Sequence, residues 1–311
     1  MRKNDEIKTS FFFCYYGKYW LFYFSMVKYS IIRWFWGDIF MKFYKSIKNI
    51  ILAISVFSLT VTCSGCSKED NQKTLDKDTI IIGIDDAFAP MGFKDENGNI
   101  TGFDVDLAKE LTKRLDKEVV FQPIDWTMKE SELNAGNIDL IWNGYTITDD
   151  RKSKVDFSVP YLKNKQVIVT LSNSNINSKS DLSNKKVGAQ SESSAITAME
   201  KESDLYATFD GGSAITFEDN NQALMDLEAG RIDAVVADEI LVRYYISLKG
   251  DDKFKILNEN FGEEEYGVGI RKGDTDMVDT FNKIYKEMQD DGTLKEISEK
   301  WFDEDITIKV D

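Results

Sequence analysis

The chain has 311 residues, a formal net charge of −15, three cysteines and no histidine. The missing histidine excludes Ser-His and Cys-His nucleophilic catalysis, and in residues 67–311, which also lack cysteine, a metal site would have to be built from carboxylates alone. Residues 1–65 hold 9 Lys/Arg and 3 Asp/Glu, so residues 66–311 carry 30 against 51, a net charge of −21 that argues against nucleic acid as a partner.

The first 65 residues read as segments outside the fold. Residues 1–40 are dense in aromatics, but Lys18, Lys28 and Arg33 interrupt them. As a membrane helix the stretch would bury three charges at about 2.5–3.5 kcal/mol each. It shows no periodicity, and we expect the natural start to be Met41, with 1–40 an upstream extension. Residues 41–65 have the layout of a secretory signal: Lys42, Lys45 and Lys48 precede an apolar run over 50–62 that is too short to span a bilayer. The run ends in Cys63-Ser64-Gly65-Cys66, which resembles a lipobox with Cys66 as the lipidated residue. Cys63 stands where an aliphatic residue is usual, and is itself the second candidate. Simple cleavage without lipid is the alternative. Residues 66–77 are polar and suit a flexible tether. Beyond Cys66 there is no further cysteine, so the remaining domain has no internal disulfide.

From Lys77 the pattern alternates strand and helix. "TIIIGI" (79–84) predicts a buried strand, "DENGNITG" a hairpin-like turn, and "FDVDLAKELTKRLD" a helix capped by Asp104, with Leu107, Leu111 and Leu115 on one face. "EVVFQPI" (118–124) is a strand, "WTMKESELNAG" a helix stopped at Gly136, and "IDLIWNG" (138–144) a third strand. Strands follow at 166–171 and 185–190, then a helix from "SSAITAMEKES", a helix from "FEDNNQALMDLEAG" stopped at Gly230, and a strand "IDAVVADE". "EEEYGVGIRKGD" (263–274) suggests a strand re-entering the first half, and "MVDTFNKIYKEMQDDGTLKEISEKWF" two helices broken at Gly292.

"LNAGNIDLIWNG" (133–144) and "LEAGRIDAVVAD" (227–238) repeat one phrase, with Gly136 matching Gly230 and Asp139 matching Asp233. Each is a helix stop followed by a buried strand opening on Ile-Asp. The repeat suggests two related halves, although helix–Gly–strand punctuation also arises by chance. We expect an α/β fold of two lobes, with lobe 1 formed by 78–163 and 267–311, lobe 2 by 164–266, and a hinge of two crossover segments.

In open α/β sheets ligands gather beyond the carboxyl ends of the strands. Those ends bring Asp85 and Phe88, then Asn143, Gly144, Thr146 and Arg151, then Ser191, Glu192 and Ser193, and finally Asp238. A guanidinium, several neutral donors and carboxylates together match the needs of a free α-amino acid. Read alone, Arg151 could be a solvated charge, Asp238 a helix cap, and Phe88 and Trp126 ordinary core. Asp139 and Asp233 lie at the wrong end of their strands for a cleft and read as structural.

"GFDVDLAKEL", "TITDDRKSKVDFSVPY", "LEAGRIDAVVADE" and "MQDDGTLKEISEKWF" resemble, in order, the motifs of bacterial extracellular solute-binding proteins of family 3, the polar amino-acid receptors of ABC importers. The resemblance covers about residues 77–303, and Thr112 departs from it. It implies a periplasmic-binding-protein-like fold that closes on its ligand without a cofactor or metal. By position, Arg151 would pair with the α-carboxylate, helped by Thr146 and Ser193. Asp238 and the Gly144 carbonyl would take the ammonium, Phe88 would cover one face, and Trp126 would lie near the side-chain end. Asp85 matches a position that touches basic side chains in some relatives, while the Trp126, Trp142 and Tyr145 group would suit a larger or flatter one. The implied protein is a monomeric, lipid-anchored receptor on the outer face of the cell membrane, delivering a polar amino acid to an ABC permease. The rival readings are an enzyme on the same fold, such as a small-carboxylate dehydratase using Asp85, Glu192 and Asp238, or a ligand sensor.

Overall fold

The structure is a computed structural model that describes residues 73–250 and 252–311. The extension 1–40, the signal 41–65, Cys66 and the start of the tether lie outside the described residues. Lys73–Lys77, assigned from sequence to the tether, belong instead to the folded body. Thr74–Asp76 form a 3-10 turn whose Thr74 is buried, its N–H donating to Asp274 at 3.1 Å. Lys77 reaches the Asp139 carboxylate at 2.6 Å. Two buried acceptors therefore capture the segment.

The first lobe opens with β1 (Thr79–Ile84), a run of β-branched residues whose Ile80, Ile82 and Ile84 are fully buried. A small antiparallel sheet of β2 (Ala87–Phe88), β3 (Gly92–Lys94) and β4 (Ile100–Thr101) follows. Helix α1 (Phe103–Arg114) buries Leu107 and Leu111, with Leu115 partly buried against the same core. Gly102, not Asp104, occupies its N-cap. The backbone there has φ 142°, so the helix starts two residues earlier than expected and Asp104 turns inward at the second helical position.

β5 (Glu118–Pro123) is followed by a 3-10 turn at Trp126–Met128, α2 (Lys129–Asn134) and the positive-φ Gly136 that ends it. β6 is only Leu140–Ile141, shorter than the predicted 138–144, because the chain leaves the sheet before Gly144 at φ 58°. α3 (Asp149–Lys154) and β7 (Asp156–Phe157) precede β8 (Leu162–Leu171), which passes into the second lobe.

There β9 (Val187–Gln190), α4 (Ser194–Glu200) and α5 (Ser203–Tyr206) lead to β10 (Ile215–Phe217), a strand the sequence reading missed. α6 (Asn220–Glu228) is capped by Asp219, which accepts from Gln222 N at 2.8 Å, and β11 (Ala234–Asp238) is fully buried. After α7 (Glu239–Lys249), β12 (Phe254–Tyr266) runs back antiparallel to β8. β13 (Gly269–Ile270) then re-enters the first sheet, and α8 (Thr275–Asp290) and α9 (Thr293–Phe302) close the chain, with α9 against α1.

The two five-stranded sheets have matching orders, β5-β1-β6-β13-β7 and β10-β9-β11-β8-β12. In each, the first three strands are parallel and the fourth is antiparallel to the third. The repeated Asp does the same work in both. Asp139 N–H donates to Ile81 O at 2.7 Å, and its carboxylate accepts from Ile81 N at 3.0 Å. Asp233 makes the same pair of bonds with Lys186, both 2.8 Å. The fold is thus two lobes of one design, joined where β8 and β12 pair side by side, Asn164 against Glu264 and Leu162 against Tyr266.

Candidate functional site

The carboxyl ends of the strands of both sheets face one cleft, and the lobes meet across it. Residues 190–194 of the second lobe run along the loops of the first. Gln190 Nε2 donates to Asp85 at 2.6 Å, the Glu192 carbonyl accepts from both Arg151 and Lys129 at 3.2 Å, and Ser194 Oγ lies 3.1 Å from Thr146 Oγ1.

Arg151 is 6% exposed although it sits among the charges of "DDRKSK". Thr148 caps α3 by accepting from Arg151 N at 3.2 Å, which turns this residue toward the cleft. Its guanidinium donates to Thr146 O at 3.0 Å and lies 4.5 Å from the centre of the Tyr145 ring. Lys129, 2% exposed, lies beside it, its ammonium donating to Trp126 O at 3.0 Å. Burial, then repulsion from Arg151, pushes the Lys129 pKa down to about 8. Glu130 offsets one of these charges, accepting from Tyr145 OH at 2.8 Å and lying 3.5 Å from Lys129 and 4.0 Å from Arg151. Two cations against one carboxylate leave a net +1, with a planar fork suited to a single carboxylate.

Asp238 supplies the opposite sign. It holds the N-cap position of α7 but makes no side-chain cap bond, so the helix-cap reading does not describe it. Its Oδ1 accepts from Asn164 at 2.5 Å, Gln166 at 3.1 Å and Tyr266 OH at 2.6 Å. Burial, then the neighbouring Glu264 carboxylate, raises its pKa well above the ordinary carboxylate range.

Asp85 forms a second acidic point. Burial lifts its pKa to about 6, against the bonds from Ala87 N at 3.0 Å and Gln190. Asn143 holds the loop after β1 by donating to Asp85 O at 3.1 Å. Gly144 lies against Phe88, where an added Cβ would come within 2.7 Å of the ring. Its N–H donates to the inward-turned Asp104 at 2.8 Å, which also accepts from Tyr161 OH at 2.9 Å. Burial raises Asp104 to about 7.

The cleft therefore gathers Asp85, Phe88, Asn143, Gly144, Thr146, Arg151, Ser193 and Asp238. Ser193 is buried with its Oγ lacking a hydrogen-bond partner among the described residues. Ser191 is half-buried, its N–H donating to Phe217 O at 2.9 Å. Trp126 stands behind Arg151, edge-on to Tyr145 at 5.9 Å and packed with Leu133, Ile138, Ile141 and Val155. Trp142 is core, edge-on to Phe281 at 5.1 Å. Sequence reasoning missed Lys129, Glu130, Asn164, Gln166, Ser194 and Glu264. The signal for Asn164 and Gln166 was present, since both occupy the buried phase of β8, where apolar residues would ordinarily stand.

A two-lobed α/β fold with charged strand ends facing a shared cleft defines a solute-receptor class. Residues 80–304 match the model of bacterial extracellular solute-binding proteins, family 3, and the chain belongs to that family. It is 34% identical over 237 residues to the L-cystine-binding protein TcyJ of Escherichia coli (strain K12), covering 76% of this chain and 86% of that one. It is 30% identical over 258 residues to the arginine-binding extracellular protein ArtP of Bacillus subtilis (strain 168), covering 82% and 98%. Among solved structures, an ABC uptake transporter substrate-binding protein from Streptococcus pneumoniae with bound histidine is 39% identical. It superposes with a TM-score of 0.74 over 78% of this chain and all of the other.

Proposed function

We propose that this chain is an extracytoplasmic, lipid-anchored receptor that captures a free polar amino acid between its lobes and delivers it to an ABC permease. The carrying observation is the division of charge: the net +1 cluster around Arg151 belongs to the first lobe and Asp238 to the second. A zwitterion bridging them favours the closed form through its differential affinity. Charge-assisted hydrogen bonds contribute about 1.5–3 kcal/mol each. Asp85 adds a third charge and favours a ligand with a further cationic group. Arginine and cystine, named for the relatives, carry such a group at neutral pH, and histidine can acquire one. Lipid at Cys66 would supply the two acyl chains that stable anchoring needs.

The test is a thermal-shift screen of the protein, unfolded and refolded to strip carried ligand, against the common amino acids and cystine. A ligand at about 100 times its Kd stabilises by about 2.7 kcal/mol. A shift confined to one chemical group of amino acids, lost in Arg151→Ala, is the expected result. No shift with any of them would remove the receptor reading.

A further inference from the structure

Glu264 lies on β12, opposite Asn164 of β8, at the junction between the lobes. Its Oε1 accepts from Asn164 Nδ2 at 2.7 Å and Gln166 Nε2 at 2.8 Å, the same two amide groups that donate to Asp238 Oδ1 at 2.5 and 3.1 Å. It also accepts from Thr146 Oγ1 of the first lobe at 3.0 Å and Ser194 Oγ of the second at 3.4 Å. The two carboxylates thus share both amide donors, Asn164 Nδ2 and Gln166 Nε2. Like charges so placed do not both ionise readily. Both amides present N–H to the pair, which leaves Asn164 Oδ1 and Gln166 Oε1 buried and without a hydrogen-bond partner among the described residues. These two acceptors beside two acids ask for a multivalent donor, which an ammonium group is.

We propose that Asp238 and Glu264 act as one cation-exchange unit, in which Asp238 keeps a proton beside the Glu264 carboxylate until the ammonium group of an incoming amino acid replaces it. The proton passes to solvent as the ammonium arrives, so binding releases a proton and acid weakens affinity. Glu264 is in this view a ligand-positioning and pH-setting residue. The proposal rests on the receptor reading, in which Asp238 takes the ammonium.

The charged and titratable groups facing the pair come from each packed element. Tyr266 OH of β12 donates to Asp238, and Arg151 of the first lobe draws its pKa down. On its outer side Glu264 borders a polar groove of about 500 Å³ lined also by Lys152, Lys163, Lys165, Glu239, Glu263 and Glu265. The three lysines and three glutamates cancel in sign, so the groove offers the pair no net counter-charge.

The test is calorimetry of the whole protein with L-arginine, L-histidine, L-glutamine and L-cystine as probes, in phosphate and in Tris, from about pH 5.5 to 8. The expected result is an enthalpy that depends on the buffer, with release approaching one proton per ligand at the acid end. Affinity should fall toward tenfold per pH unit there. Glu264→Gln should bind with release abolished and the pH profile flattened. Wild-type binding with no buffer dependence, or unchanged release in Glu264→Gln, overturns the exchange unit and leaves the receptor reading standing. Absence of heat with all four probes overturns both. Should Glu264→Gln fail to fold, wild type with L-glutamine decides the matter, because its side chain brings no cation to Asp85: release with that probe supports the exchange unit and none overturns it.

Discussion

Asp85 is 8% exposed, and both of its carboxylate oxygens accept hydrogen bonds. Desolvation wins over those bonds, and the pKa rises to about 6. The folded protein then holds this proton up to about pH 6, while the unfolded chain loses it near pH 4. Between those values the folded state binds more protons, so this group lowers stability as pH rises through the window. About two pK units correspond to about 3 kcal/mol. Asp85→Asn should therefore be more stable than wild type by up to about 3 kcal/mol near pH 7.5, with no gain near pH 4, as measured by urea unfolding at both. Equal gains at the two values would mean that packing, not ionisation, sets the difference. Stability is here given up at the residue that a ligand's cationic group would satisfy.

At the scale of elements, the repeated helix–Gly–Ile-Asp–strand unit explains itself through one pair of hydrogen bonds. In each lobe the Asp fastens the third strand of the sheet order to the second by taking the N–H of the residue whose carbonyl it also engages. The surroundings differ. Asp139 is fully buried and meets Lys77 at 2.6 Å and Arg271 at 3.4 Å, whereas Asp233 is exposed. Removing one partner of a buried ion pair costs about 3–5 kcal/mol, but a solvated one costs little. Asp139→Ala should lose about that much, and Asp233→Ala about 1 kcal/mol, the worth of its backbone bond. Denaturant midpoints of the two variants compare them directly, and equal losses would contradict the difference in burial. A common strand order thus carries unequal energetic weight in the two lobes.

For the whole molecule, the two lobes are held together partly by bonds outside the charged residues of the cleft. Asn221 at the start of α6 donates to Ala87 O at 3.1 Å, joining the second lobe to β2 of the first. One such bond is worth about 1 kcal/mol, which corresponds to roughly fivefold in the closure equilibrium. Asn221→Ala should weaken binding of every ligand by about that factor without changing their ranking, as measured by calorimetry across several amino acids. A change in ranking would place Asn221 in the binding site itself. The lobes are joined by the antiparallel pair β8 and β12, so the closure proposed above would turn about two neighbouring strands.

The sequence alone determined the alternation of strand and helix, the two related halves and the residues at the strand ends. These follow from local rules: β-branched runs, glycines that end helices, and polar residues where strands stop. Asp85, Arg151 and Asp238 were legible because strand ends face a cleft in any open α/β sheet. What only the tertiary structure decided is which charges meet. Asp104 reads locally as a cap, but the close approach of Gly102 to Met91 starts the helix early and turns that carboxylate onto Gly144. Lys129 and Glu130 sit in a short helix with no sign of burial, and only packing against Tyr145 brings them beside Arg151. Glu264 is one of three consecutive glutamates, and the register of β12 against β8 selects it for the pair with Asp238. Pairing across 26 residues or 100 is a property of the sheet, not of any local pattern, because a one-residue slip would turn a different glutamate inward.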